Sequence, residues 1–223
     1  MTPFDDPHSV ARYAEGPPRL VPGFADMQRM ALLLLAEHAP DDARILVLGA
    51  GGGLELRTFA AARPGWSFDG VDPSEEMLKL AAATLGPLAP RARLYRGLID
   101  VAPEGPFDGA TCLLTLHFLP EAERLATLEA VRCRLKPGAP FVVVHHSIAG
   151  DEDDRARWLS RYAAFAVASG VPPEQAESAR IAIPARLPIL APEEDAALLR
   201  RAGFAAVELF YAAFTFRGWV ARA

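Results

Sequence analysis

Four apolar residues in a row, Ile45-Leu46-Val47-Leu48, stand directly before Gly49-Ala50-Gly51-Gly52-Gly53. A run that is apolar at every position predicts a strand covered on both faces, as in a parallel sheet. Residues 54–63 then take up helical spacing. A second buried strand is predicted over residues 67–71, ending in Asp72. Pro73-Ser74 opens another helix, with Glu75 and Glu76 suited to its positive N-terminal end. Further strands are predicted over 93–99, 107–114 and 141–145, with a helix over 120–136 stopped by Pro137-Gly138. Upstream, residues 25–38 form an amphipathic helix with Met27, Met30, Leu34 and Leu35 on or near one face.

Strands and helices thus alternate through the first two thirds of the chain. This predicts an α/β fold: a doubly wound, mostly parallel sheet with helices on both faces. Helices over 151–170 and 172–181 interrupt the alternation, so residues 148–190 are expected to form a helical cap inserted over the sheet edge. Pro184, Pro188 and Pro192 are expected to break helices on the return to the sheet. A helix over 193–202 closes at Gly203. The chain finishes on two strands, 206–211 and 215–221, which read as a hairpin whose last strand is reversed. Residues 1–24, with five prolines and little periodicity, read as an N-terminal arm, and residues 25–223 as one domain.

The chemistry concentrates at the first strand–helix junction. The glycines allow a sharp turn and a close approach to a ligand, and the helix behind them points free N–H groups at it. Asp72 lies 23 residues after Gly49, where a carboxylate at the end of the second strand meets ribose hydroxyls. Loop and acid together frame a nucleoside-shaped site. A net charge of −5 argues against a nucleic-acid duplex as the main partner, although a local basic patch stays open. Two cysteines make no disulfide framework. No leader and no long uncharged apolar run are read from the sequence, so a cytoplasmic protein is expected.

Four segments carry a family likeness: Val47-Leu48-Gly49-Ala50-Gly51-Gly52-Gly53, Gly70-Val71-Asp72-Pro73-Ser74, Phe107-Asp108-Gly109-Ala110 and Leu135-Lys136-Pro137-Gly138-Ala139. With the reversed last strand, they make the chain resemble the class I S-adenosylmethionine-dependent methyltransferases. That resemblance implies a seven-stranded Rossmann-like sheet, S-adenosylmethionine as cofactor, and methyl transfer to an acceptor; the acidic net charge favours a small molecule over nucleic acid as that acceptor. Within the family the chain is most similar to carboxy-S-adenosylmethionine synthases. The shared stretches are Val21-Pro22-Gly23-Phe24, Leu114-Thr115-Leu116-His117-Phe118-Leu119 and the tail from residue 199. The resemblance implies cofactor contacts at Phe24, Gly49, Ala50, Gly51, Asp72, Pro73, Leu98, Ile99 and Leu113. It places on Arg180 an arginine that reaches across a dimer interface, which implies a homodimer. Phe24, Leu98 and Leu113 stand where those synthases carry a tyrosine, an acid and an asparagine, which points to ordinary S-adenosylmethionine.

An acid that the wider family carries two residues before its first glycine is replaced by Val47; Glu55, at the start of the following helix, is a candidate for part of its duty, set against a plain solvated side chain. Three histidines fall at predicted strand ends, His117 after the fourth strand and His145-His146 after the fifth. Sites of open α/β sheets lie there, and an imidazole can take a proton near neutral pH. These three are the catalytic candidates, set against plain loop capping. No metal site is expected, because no cysteine or carboxylate cluster stands at ligand spacing. Two other readings remain at this level. One is a cofactor-binding protein without catalysis, or one taking carboxy-S-adenosylmethionine. The other is an NAD(P)-dependent oxidoreductase, which Leu54 disfavours because the dinucleotide fingerprint wants its third glycine there.

Overall fold

The structure is a computed structural model that describes residue 6, residue 10 and residues 12–223. Residues 1–5, 7–9 and 11 of the expected arm lie outside the described residues. The strands are β1 (Arg44–Leu48), β2 (Ser67–Asp72), β3 (Ala92–Arg96), β4 (Gly109–Leu113), β5 (Pro140–His146), β6 (Ala205–Ala213) and β7 (Phe216–Arg222). The helices are α1 (Gly16–Leu20), α2 (Phe24–Ala36), α3 (Leu54–Ala62), α4 (Glu75–Leu85), α5 (Glu121–Cys133), α6 (Glu152–Ala168), α7 (Pro173–Arg186) and α8 (Pro192–Arg201). All seven strands form one sheet in the order β3-β2-β1-β4-β5-β7-β6. The first five run parallel, and β7 pairs antiparallel with both β5 and β6. This is the Rossmann-like sheet with a reversed last strand that the pattern predicts.

Alternation along β1 explains the two-sided core. Ile45 and Val47 join α2, α3 and the 148–190 segment on one face, through Leu35, Phe59, Leu159 and Ile183. Leu46 and Leu48 join α5 and α8 on the other, through Leu128, Val131 and Leu198. Strand order reverses between β1 and β4, and open α/β sheets leave a crevice at that point.

Four boundaries differ from the sequence expectation, each for a local reason. β3 stops at Arg96, because its partner β2 ends at Asp72, the residue facing Arg96. Ile99 therefore lies in a 3-10 turn, Ile99–Val101, and not in the strand. β5 runs on past the expected end at His145 to His146, because β7 pairs with it as far as His146 opposite Phe216. Pro184 does not break α7. The helix continues to Arg186, and the Leu187 N–H still donates to the Ile183 carbonyl at 2.9 Å. Pro192 starts α8 instead of ending a helix, since the first helical position needs no N–H donor.

Candidate functional site

After β1 the backbone turns through Gly49 (φ 75°) and Gly51 (φ 48°), a conformation that favours glycine. Gly49 has a second reason: a Cβ there would collide with the Thr115 side chain. The Gly49 and Ala50 N–H groups donate to the Val71 carbonyl at 2.8 and 2.9 Å, which ties the loop to the end of β2. Asp72 completes the tie. Its Oδ2 accepts from the Gly51 N–H and its Oδ1 from the Ser74 N–H, both at 2.9 Å. The carboxylate is therefore oriented before any ligand arrives. Ser74 caps α4 by accepting from the Met77 N–H at 3.2 Å.

These groups border a cavity of about 1180 Å³ at the switch point. That exceeds the roughly 300–1,000 Å³ common for one small ligand, so two molecules can share it. Phe24, Gly49, Ala50, Gly51, Asp72, Pro73, Leu98, Ile99 and Leu113 all line it. Residues that the sequence reading did not place there also line it, among them Tyr13, Gln28, Asp100 and Arg186. For Asp100 a signal existed, since it lies two residues beyond the position where the family resemblance expects an acid. For Tyr13 and Arg186 no local signal existed. They arrive through the packing of distant segments.

Two titratable groups lie at the loop. Glu55, in the first turn of α3, is buried and accepts from Thr111 Oγ1 at 2.9 Å. Thr111 is the β4 residue that faces Val47 in the sheet, so Glu55 places its carboxyl beside the position where the family acid is missing. Burial is the largest cause that pushes Glu55 up, to about 8. The Thr111 hydrogen bond opposes the shift and the charge on Asp72 adds to it. Near neutral pH Glu55 therefore holds its proton. The Tyr13 phenol is pushed up to about 12, mainly by burial and further by Glu55 and Asp72.

The cavity continues beyond the loop toward α5 and the end of α7. Its wall there is largely apolar: Leu113, Leu114, Phe118, Leu119 and Leu187. Leu114 is held at φ 60°, where a leucine is strained, and its N–H donates to the Val144 carbonyl at 2.6 Å. Such strain clusters where a site dictates the backbone. Arg186 is exposed, and among the described residues it makes no ion pair. Glu123 also faces this side.

The three histidines correct the sequence expectation. None is among the described residues lining the cavity. His117, His145 and His146 are 5%, 2% and 5% exposed. The His146 N–H donates to His117 Nδ1 at 3.1 Å, and the His146 ring stacks on Phe216 at 4.1 Å. His145 Nε2 lies 3.1 Å from Asp195 Oδ1, and Arg124 Nη1 donates to the same oxygen at 2.6 Å. Burial lowers His146 to about 3 and His117 well below the ordinary value, so both stay neutral. Pairing through β7 drew His145 and His146 into the sheet, and His117, in the 3-10 turn Leu116–Phe118, packs against His146. Arg180 is not at the cavity either. It pairs with Glu177 one helical turn away, at 2.6 and 2.8 Å. Among the described residues no group of three or more His, Cys, Asp or Glu side chains could hold a metal ion.

A methyltransferase-domain profile matches residues 46–141. The chain is 28% identical to the carboxy-S-adenosyl-L-methionine synthase of Chromohalobacter salexigens, across 97% of this chain and 82% of that protein. It is 32% identical to the trans-aconitate 2-methyltransferase of Streptomyces avermitilis, over 71% of this chain and 60% of that protein. Human N-acetylserotonin methyltransferase, solved with S-adenosylmethionine, superposes with a TM-score of 0.68 at 16% identity. That match covers 98% of this chain and 57% of the human one. A S-adenosylmethionine-dependent methyltransferase from Aquifex aeolicus gives 0.65 at 17% identity over 97% of this chain and 98% of its own. The chain therefore spans less than two thirds of the Streptomyces and human proteins and nearly all of the Aquifex one.

Proposed function

We propose that this chain, a class I S-adenosylmethionine-dependent methyltransferase, methylates a carboxylate oxygen of a small, largely apolar acid. The observation that carries the reading is the shape of the cavity. One end is built from the glycine loop and Asp72, and the other is an apolar chamber with Arg186 at its side. The residues fit the cofactor. The loop glycines leave open backbone, Asp72 offers fixed acceptors to ribose hydroxyls, and Leu98 and Ile99 offer an apolar wall to the adenine. Glu55 is the group to receive the cofactor's ammonium in place of an acid at Val47.

When bound, S-adenosylmethionine supplies a methyl group already made electrophilic by its sulfonium. The protein's part is to align an acceptor atom with it and to exclude water. No histidine faces the cavity among the described residues, so no imidazole is on hand to deprotonate an alcohol or amine. A carboxylate needs no such base, since it is ionised at neutral pH. Arg186 is the side chain to pair with it, and Leu114, Phe118, Leu119 and Leu187 would enclose its apolar body. The relative named for trans-aconitate methylation supports the same acceptor class.

The cap over 148–190 supplies Arg186 and Leu187, and the arm supplies Tyr13 and Phe24, so both are read as walls of the acceptor site. A homodimer in which Arg180 reaches a partner's cavity is kept as part of this proposal, as is a cytoplasmic location. No helix among the described residues is long and apolar enough to cross a membrane. Light scattering that returns a monomer at micromolar concentration removes the dimer.

The test has two stages. Calorimetric titration should show binding of S-adenosylmethionine and S-adenosylhomocysteine and no binding of NAD. S-adenosylhomocysteine release should then be followed with a panel of small carboxylic acids, phenols and amines. Turnover with acids, and a raised acceptor KM in Arg186→Ala, is the expected result. Turnover confined to phenols or amines overturns the acceptor class.

A further inference from the structure

The glycine at position 52 is not explained by its backbone. Gly49, Gly51 and Gly53 all have positive φ, whereas Gly52 does not. What excludes a side chain there is Tyr13. A Cβ on Gly52 would lie 2.8 Å from Tyr13 Cδ1 and 3.2 Å from Tyr13 Cε1, with Leu80 Cδ2 at 2.9 Å. The phenol oxygen lies 3.5 Å from where a Cβ on Gly51 would stand. The aromatic ring therefore rests on the glycine loop, and its hydroxyl end projects over Gly51, whose N–H holds Asp72.

The root of this segment is firmly seated. Val21 is buried, and Tyr211 donates its hydroxyl proton to the Pro22 carbonyl at 2.5 Å. Leu20, the last residue of α1, packs against Ala163, Ala166 and Ala176 of the cap helices. Tyr13 thus hangs from an anchored root and reaches the loop from outside the sheet. Its phenol keeps its proton at neutral pH, so it remains a hydrogen-bond donor.

We propose that Tyr13 is a cofactor-binding residue: its ring closes the cavity over the glycine loop and its hydroxyl hydrogen-bonds the bound cofactor, so the Tyr13 ring must move off the loop for the cofactor to enter or leave. This rests on the cofactor reading above and adds a gate to it. Gly52 is then the residue that lets the gate shut. Lids of this kind govern dissociation more than association, because the closed form must open before the ligand departs.

The experiment compares wild type, Tyr13→Phe, Tyr13→Ala and Gly52→Ala. Each is titrated calorimetrically with S-adenosylhomocysteine, and its dissociation rate is read by chasing labelled S-adenosylmethionine. Circular dichroism checks each fold, and Tyr13→Phe, which keeps the ring, guards against a misfolded alanine variant. Tyr13→Ala should weaken binding by about tenfold or more, nearly all of it in a faster dissociation rate. Tyr13→Phe should lose about threefold, the worth of one hydrogen bond. Gly52→Ala, which pushes the ring off the loop, should speed dissociation in the same direction. Affinity and dissociation rate of Tyr13→Ala within twofold of wild type overturn the proposal. Tighter binding in Tyr13→Ala also overturns it, since the ring would then occupy the cofactor's own place. Wild-type protein that binds no S-adenosylhomocysteine overturns the cofactor reading and the gate with it, which separates that failure from a failure of Tyr13 alone.

Discussion

Asp72 and Asp195 are both buried carboxylates, at 9% and 2% exposure, yet their surroundings are opposite. Asp72 is held by two backbone N–H groups and borders a large cavity. Asp195 is held by Arg124 and lies beside His145, among residues with no opening to solvent. Burial raises the Asp195 pKa, but His145, a hydrogen bond with Ser147 and the charge of Arg124 together outweigh it and leave the carboxyl below its ordinary range. Arg124 also donates to the Leu119 and Pro188 carbonyls, at 3.3 and 2.9 Å, and so joins α5, α8 and the end of the cap. One acid is oriented by dipoles and faces space for a ligand. The other is neutralised by a countercharge and holds elements together. A buried charge that borders a cavity and is oriented by backbone dipoles marks a site, and one paired with a buried arginine away from any cavity marks a clamp.

Substitutions can break that contrast. The largest effect belongs to the clamp. Arg124→Ala leaves Asp195 buried without its main partner and should cost about 3–5 kcal/mol in urea unfolding. The S-adenosylhomocysteine affinity of the folded fraction should change by less than about threefold. Asp72→Ala should do the reverse. Losing two charge-assisted hydrogen bonds, each worth about 1.5–3 kcal/mol, should weaken S-adenosylhomocysteine binding on the order of a hundredfold in calorimetry. Its stability cost should stay near 1–2 kcal/mol, from the two backbone donors left to find water. If Asp72→Ala binds as wild type does, the site assignment is wrong.

Glu55 sharpens the comparison through pH. Its folded pKa of about 8 stands above the ordinary 4.5, so the folded state keeps a proton that the unfolded chain releases. Stability from this group must fall as pH rises between those values. His146 acts oppositely, because its folded pKa of about 3 lies below 6.5, and stability rises with pH across that window. His117 adds to the same acid limb. The two trends oppose each other between about 4.5 and 6.5, and Glu55 stands alone between about 6.5 and 8. There the slope should reach at most about 1.4 kcal/mol per pH unit, and Glu55→Gln should flatten it. Calorimetry of S-adenosylmethionine binding in buffers of different ionisation heat should also show proton release, lost in Glu55→Gln. The smallest effect is His146→Phe, which should move the acid-unfolding midpoint, read by circular dichroism, modestly to lower pH.

Much of this was legible before any coordinates. The apolar run 45–48, the glycines behind it and the acid at 72 predict one crevice, because strand burial and loop geometry are local consequences of residue type. The nine cofactor contacts expected from the family resemblance do converge on one cavity. The histidines show the limit. Their place at a predicted strand end suggested access, but the antiparallel partner β7 holds His145 and His146 within β5, and His117 is buried against His146. Pro184 shows it again. A proline that should stop α7 is accommodated, and Arg186 and Leu187, two and three residues beyond it, line the cavity.

What the sequence by itself determined is the set of local periods: which segments are strands and helices, which loop must be glycine, and which acid closes it. Each follows from sterics and from the burial of apolar side chains within a few residues. What only the tertiary structure decided is membership of the site. Tyr13, Arg186 and Glu123 are brought to the cavity from three separate parts of the chain, and His117, His145 and His146 are removed from it. Side-chain access depends on what packs over a residue from elsewhere, and no local pattern carries that information.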